Sequence, residues 1–225
     1  MGARTITVKM DVLGANKEKA DTTRKLLDSH KTLMINIMSA SGSGKTSLII
    51  ETIKALRDKY RIAVIDGSVF SSIDADRIAV YNVPVIRLNT AGGCHLDAHM
   101  IEKALYTNNL ERIDLIMVEN VGNLVCTADF DLGAHKNAVI LSIPEGDDKP
   151  LKYPVMFTGA DVVLLNKMDV QQYFDFRMDA FSEIISGLNP YARIIPVSVK
   201  TGDGLDGWFS WIEAASQRQW LVASE

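Results

Sequence analysis

Ser39, Ala40, Ser41, Gly42, Ser43, Gly44, Lys45 and Thr46, at residues 39–46, form the stretch that decides the fold. It follows an apolar run at 33–38 and opens a segment, 46–60, whose apolar residues recur at helical spacing. A glycine-rich loop between a strand and a helix is the setting in which a phosphate-cradling Walker A loop is built. One position departs from that pattern, since Ser39 stands where its first glycine would be. Gly42 and Gly44 still let backbone N–H groups approach phosphate oxygens, and the helix N-terminus adds a field favourable to anions. Gly42, Ser43, Gly44, Lys45, Thr46 and Ser47 are therefore the expected phosphate-binding residues. Lys45 is assigned to the β- and γ-phosphates and the Thr46 hydroxyl to Mg²⁺. A glycine-rich turn without a ligand is disfavoured by the strand and helix on either side.

Outward from the loop, short apolar runs alternate with longer periodic ones. The expected strands are 33–38, 62–65, 85–88, 115–118, 139–143, 162–165 and 194–197, each read as buried on both faces. The expected helices are 46–60, 95–106, 173–188 and 204–215, the last carrying Trp208, Phe209 and Trp211. This alternation predicts an α/β fold, a single P-loop NTPase domain at 31–225 with a mostly parallel sheet and helices on both faces. Residues 1–30 read as an N-terminal extension. Within it, 17–30 has only a thin apolar stripe of Ala20, Leu26 and Leu27, so the helix is expected to lie on the domain outside its core.

A chain of 225 residues fits one such domain. Its 24 Lys and Arg against 28 Asp and Glu give a net charge of −4 with no basic tract, so nucleic acid is not an expected partner. No window approaches the ~18 apolar residues of a membrane span, and residues 1–14 do not read as an export signal, so a soluble, cytoplasmic chain is expected. Cys94 and Cys126 are the two cysteines. In a reducing compartment such a pair is metal-binding or free rather than disulfide-bonded.

Ligands of parallel sheets bind at the carboxyl ends of the strands, which directs attention to the loops there. Glu119 ends the run 115–118 as a Walker B acid would. Asp66 closes another strand, and Asp74 follows the serine-rich loop 68–72, where P-loop GTPases place a γ-phosphate switch. Either of the two aspartates is a candidate to hold magnesium or to orient the attacking water, the plainer reading of Asp74 being a helix cap. Asn166, Lys167, Met168 and Asp169 follow the strand 162–165. An aspartate there can accept from N1–H and the exocyclic amine of guanine, whereas adenine would leave it unpaired at a cost of about 1–3 kcal/mol or more. Asn166 would meet the other edge of the base, and the Lys167 stem would lie along the nucleotide. Ser198, Val199 and Lys200 resemble the Ser-Ala-Lys element of GTPases, and valine in the middle is harmless if that position offers a backbone N–H to the guanine O6. Phosphate loop, acid, base-reading tetrapeptide and this last element in the expected order make GTP and GDP the expected ligands.

A second constellation lies in the segments 92–99 and 120–126, which hold both cysteines and two of the four histidines. Cys94, His95 and Cys126 offer thiolate and imidazole ligands that suit Zn²⁺ or Ni²⁺ better than Mg²⁺. His99, four residues past His95, is a further candidate. The alternative is two buried thiols and a helix-capping histidine. His30 and His135 lack partners in sequence and read as surface residues.

Taken together, the runs 89–98, 119–126 and 144–154, with the phosphate loop, resemble the HypB family of hydrogenase nickel-incorporation GTPases, in the SIMIBI class, across nearly the whole chain. The resemblance implies a slow GTPase that pairs as a homodimer in its GTP state and delivers nickel to the hydrogenase large subunit with the small zinc-containing partner HypA. It further implies that Cys94, His95 and Cys126 are the metal ligands, facing their symmetry mates in the dimer. Two features do not transfer. Residues 1–30 contain no cysteine and a single histidine, so neither an N-terminal nickel motif nor a histidine-rich store is implied. Ala40 stands where some relatives in the class have a lysine that reaches the partner's nucleotide, so any such lysine must come from elsewhere, Lys149 or Lys152 being candidates. A urease nickel GTPase of the UreG type resembles Cys-Pro-His at the metal loop, where this chain has Cys94, His95 and Leu96. A metal-binding scaffold with negligible GTP turnover is the alternative from a different class.

Overall fold

The computed structural model describes residues 8–68, 73–106 and 113–221. Seven strands form one sheet: β1 (Leu33–Ser39), β2 (Ile62–Ser68), β3 (Val85–Asn89), β4 (Leu115–Gly122), β5 (Lys136–Ser142), β6 (Val162–Asn166) and β7 (Arg193–Pro196). Their order is β3-β2-β4-β1-β5-β6-β7, and every neighbouring pair is parallel. Between them run α1 (Val8–His30), α2 (Lys45–Leu56), α3 (Ile73–Ala79), α4 (Ala98–Tyr106), α5 (Cys126–Asp129), α6 (Lys149–Lys152), α7 (Pro154–Thr158), α8 (Met178–Leu188) and α9 (Leu205–Leu221). Parallel strands need crossover connections, and the helices that supply them cover both faces of the sheet.

The central strands are apolar because both of their faces are covered. Ile35, Ile37, Met117, Ile140 and Leu164 pack with Leu48 and Ile53 of α2 and Trp208 of α9 on one side. The Trp208 indole N–H is satisfied there by Thr52 Oγ1 at 2.9 Å. The reading of every strand as buried on both faces fails at the two edges: β3 has no buried residue, and β7 buries only Ile195. An edge strand has only one neighbour and less helix above it, a property of strand order that an apolar run does not encode.

Two further expectations are corrected. The N-terminal helix is part of the core: Ala20 and Leu27 are fully buried, Leu27 among Met34, Ile116 and Leu132. His135 is not a surface residue, for its side chain is wholly buried. Its Nδ1 accepts the Met34 N–H at 3.0 Å, and its Nε2 lies 3.1 Å from Asp28 Oδ1 on α1. The ring thus fastens the helix to the start of β1.

Helix limits differ in instructive ways. The helix expected at 95–106 starts at Ala98, leaving Cys94 to Asp97 in a loop, and that expected at 173–188 starts at Met178 after a 3-10 turn at Met168–Tyr173. Asp74 lies in the first turn of α3. The switch-like loop at 68–72 falls, apart from the backbone of Ser68, outside the described residues.

Candidate functional site

β1 lies in the middle of the sheet, flanked by β4 and β5, so the loops leaving these strands converge where ligands of such sheets bind. The phosphate loop there turns through two left-handed glycines, Gly42 at φ 80° and Gly44 at φ 109°. A Cβ on Gly44 would collide with the Asn166 amide. Glycine is therefore required twice over, by φ and by the close approach of the neighbouring strand end.

Lys45 opens α2 and is buried, its ammonium donating to Ser39 Oγ at 2.9 Å. Burial pulls its pKa below the ordinary lysine value, opposed by Glu119, Asp74, Glu145 and Asp66. Thr46 Oγ1 donates to Glu119 Oε1 at 2.7 Å. Glu119 is 5% exposed, and burial pushes its pKa up to about 7, with Asp66 and Asp74 adding to the rise against the pull of Thr46 and Lys45. Its second oxygen, Oε2, is buried with no hydrogen-bond partner among the described residues. Asp66 is the register partner of Glu119 on β2, and Asp74 holds Arg77 at 3.4 Å. A hydroxyl, a carboxylate with an oxygen to spare and two further acids around a cleft of about 530 Å³ make a donor set of the kind a hard divalent cation takes.

A second cleft of about 800 Å³ shares Gly44, Ser47 and Arg77 with the first and extends to Asn166, Asp169 and Lys200. The Asn166 side chain donates to the Ser43 carbonyl at 2.8 Å and accepts the N–H groups of Lys167 and Val199. It thereby ties the phosphate loop to the base-reading loops. Lys167 takes a left-handed φ of 64° and its ammonium reaches the Gly42 carbonyl at 2.8 Å, along the rim of the cleft. The Ser198 hydroxyl donates to Asp169 Oδ1 at 2.8 Å, and Lys200 Nζ stands 4.0 Å from Oδ2. Ser198 thus orients the carboxylate that the sequence assigns to guanine.

Cys94, His95 and Cys126 converge, their donor atoms lying within 4.8 Å of one another. Cys94 Sγ is 3.6 Å from His95 Nδ1, and the His95 ring stacks on Phe130 at 3.7 Å between centroids. The Cys94 thiol beside it holds the Cys126 thiol above its ordinary pKa. The thiols are free and half-buried, so neither the disulfide nor the deeply buried structural thiol describes them. Two sulfurs and an imidazole are soft donors, fitting Zn²⁺ or Ni²⁺. His99 does not join them: it sits on the first turn of α4, exposed, with Nδ1 3.6 Å from Glu102 Oε2. Lys152 pairs with Asp148, and Lys149 lies over the Tyr153 ring.

Several residues of the site escaped the reading of the sequence. Glu145 Oε2 accepts from Ser43 Oγ at 2.7 Å and from both the N–H and hydroxyl of Ser142, bracing the phosphate loop from the 3-10 turn after β5. Asn123 Oδ1 accepts the N–H groups of Val125 and Cys126, fixing the approach to α5. Asn120, next to Glu119, donates to Asn36, which donates to Asn137, an amide ladder across β4, β1 and β5 that is buried at Asn120 and Asn36. Only asparagines at ends or middles of apolar runs, at 36 and 120, hinted at it.

The family model described as the CobW/HypB/UreG nucleotide-binding domain matches residues 33–196. The chain is similar to the hydrogenase maturation factor HypB of Azotobacter chroococcum, 43% identical over 213 residues that cover 94% of this chain and 69% of the relative. It is 43% identical to the probable hydrogenase maturation factor HypB of Methanocaldococcus jannaschii over 208 residues, 92% of this chain and 94% of that protein. Among solved structures, the crystal structure of HypB from Helicobacter pylori in complex with nickel superposes with a TM-score of 0.86 at 36% identity, covering 91% of this chain and 96% of that one.

Proposed function

Because the chain belongs to the CobW/HypB/UreG nucleotide-binding family, and within it to the HypB hydrogenase maturation factors, we propose that it is a GTP-hydrolysing metallochaperone delivering nickel to nickel-iron hydrogenase. The observation that carries this is the sharing of one segment by two sites. β4 carries Glu119 into the phosphate cleft, and the same chain runs on past Gly122 through Asn123 to Cys126 in the metal triad.

In this reading Gly42 to Thr46 hold the phosphates through backbone N–H groups, Lys45 meets the β- and γ-oxygens, and Asp169, oriented by Ser198, selects guanine. Thr46 and Glu119, with Asp66 or Asp74, would hold Mg²⁺, which supplies charge neutralisation on the phosphoryl group when bound. Asp66 and Asp74 are the candidates to orient the attacking water. Nickel is cargo rather than cofactor, carried by Cys94, His95 and Cys126, with Zn²⁺ as a competitor for the same donors. Three ligands leave a tetrahedral or square-planar ion short of one, which favours completion by a second copy of the chain in a GTP-bound homodimer. A HypA-like nickel chaperone and the hydrogenase large subunit are the partners this role requires. A metal site built on two thiols suits a reducing compartment, and the cytoplasm is the proposed location.

The test is GTP turnover and metal content of the purified protein, wild type against Lys45→Ala and Cys94→Ser. The account expects turnover lost in the first and bound nickel lost in the second. A folded Lys45→Ala protein that hydrolyses GTP normally contradicts the GTPase, and nickel binding without GTP turnover in the wild type leaves a metal-binding scaffold.

A further inference from the structure

The metal triad is assembled from two chain segments that sequence separates: Cys94 and His95 in the loop before α4, and Cys126 at the start of α5. Something must fix the distance between them, because metal coordination tolerates only about 0.2 Å of error. On the side of α1, the Asn16 side chain does so. Its Oδ1 accepts the Ala98 N–H at 2.9 Å, and its Nδ2 donates to the Asp131 carbonyl at 2.8 Å. Ala98 is the first residue of α4, three past His95, and its N–H is one of the donors a helix leaves unpaired at its start. Asp131 follows Phe130, whose ring stacks on His95. One amide thus links the flank of each ligand-bearing segment.

α1 is itself held firmly against the same loop. Arg24 Nη2 donates to both oxygens of the Asp131 carboxylate, at 3.0 and 2.9 Å. Gly133 comes so close to α1 that a Cβ would meet the Ala20 carbonyl and the Thr23 side chain. Lys19 pairs with Glu102 on α4 at 2.8 Å. Asn16 therefore sits on a platform fixed to both neighbours and spans the gap between them. The chemistry is specific to asparagine among short side chains, since the link needs one acceptor and one donor on a single planar group, and aspartate offers only acceptors.

We propose that Asn16 is a positioning residue for metal binding, holding the Cys94–His95 loop and the Cys126 segment in register so that the triad is preformed. The inference rests on the metal-carrying reading of the triad. Outer residues that orient metal ligands typically change affinity by about 10–100-fold when replaced, and that range is expected here.

The experiment measures nickel(II) and cobalt(II) binding to the full chain by chelator competition, together with the intensity of the thiolate-to-metal charge-transfer bands, for wild type, Cys94→Ser, Asn16→Ala and Asn16→Asp. Affinity for a non-hydrolysable GTP analogue is measured on the same samples. The expected result is tight binding by wild type, none by Cys94→Ser, a loss of about tenfold or more with altered band intensity in Asn16→Ala, and unchanged nucleotide affinity. Asn16→Asp, which keeps the acceptor for Ala98 and loses the donor to Asp131, should fall with Asn16→Ala. Asn16 variants that bind metal within about twofold of wild type, with the same bands, overturn the inference and leave the metal-carrying reading standing. A parallel loss of nucleotide affinity also overturns it, since a merely structural role would then suffice. Metal binding absent in wild type, or retained in Cys94→Ser, overturns both.

Discussion

Thr46 Oγ1 and Glu119 Oε1 are 2.7 Å apart and hydrogen-bonded, which joins the first turn of α2 to the C-terminal half of β4 inside the phosphate cleft. The bond links the loop that grips the nucleotide to the strand that leads to the metal triad. The second Glu119 oxygen is buried and without a hydrogen-bond partner among the described residues, which makes the pair the proposed seat of Mg²⁺.

Replacing either partner should therefore cost turnover more than binding. Thr46→Val and Glu119→Gln are each expected to lower the rate of GTP hydrolysis by on the order of 10²-fold, since a cation that neutralises charge in the transition state is worth several kcal/mol. If both act through one Mg²⁺, the double variant should be little worse than either single one. Steady-state turnover as a function of Mg²⁺ concentration checks this, and additive losses would separate the two residues.

Base selection is proposed to rest on Asp169, whose Oδ1 accepts the Ser198 hydroxyl. Ser198→Ala is expected to weaken GTP binding by roughly tenfold, the usual effect of a hydrogen bond to a charged group. Asp169→Asn turns an acceptor into a donor facing N1–H and should shift preference toward xanthosine triphosphate. Equal affinity of the wild type for ATP and GTP would contradict the assignment.

The loop from Gly42 to Thr46 between β1 and α2, and the turn from Asn166 to Asp169 after β6, were legible in the sequence because each is contiguous and bounded by a strand. What was not legible depends on distant partners. Glu145 braces Ser43 across 102 residues of sequence, and no pattern around residue 145 names that partner. Leu27 looked like a thin stripe because its neighbours Met34, Ile116 and Leu132 come from β1, β4 and the loop before β5. β3 and β7 resembled the inner strands because an apolar run does not reveal which strand stands at an edge. His99 was a candidate through spacing from His95, but the helix begins only at Ala98, so the two rings do not share a helical face.

His135 gives a pH dependence of stability. As a neutral ring it accepts the Met34 N–H at Nδ1, and burial holds its pKa below the ordinary histidine value, opposed by Asp28. Arg24 and Lys136 add to the lowering. In the unfolded chain the ring takes up a proton as pH falls through about 6.5, whereas the folded ring resists it. The stabilisation is thus present above that pH and is lost as pH falls through the lower folded pKa, by at most about 1.4 kcal/mol per pH unit. Urea unfolding between pH 8 and pH 5 should show wild type more stable than His135→Gln at pH 8, with the difference shrinking on acidification. Parallel curves would contradict this account of His135.

The central claim is that nucleotide state and metal binding are coupled through the segment from Glu119 to Cys126, and reciprocity requires any such coupling to act in both directions. The most direct measurement is nickel affinity and stoichiometry, with molecular mass in solution, for the GDP-bound and the non-hydrolysable GTP analogue-bound protein. The account predicts that the two states differ in nickel affinity, that nickel changes the relative affinity for the two nucleotides by the same factor, and that the analogue-bound form is a dimer. Equal nickel affinity in both nucleotide states would contradict it.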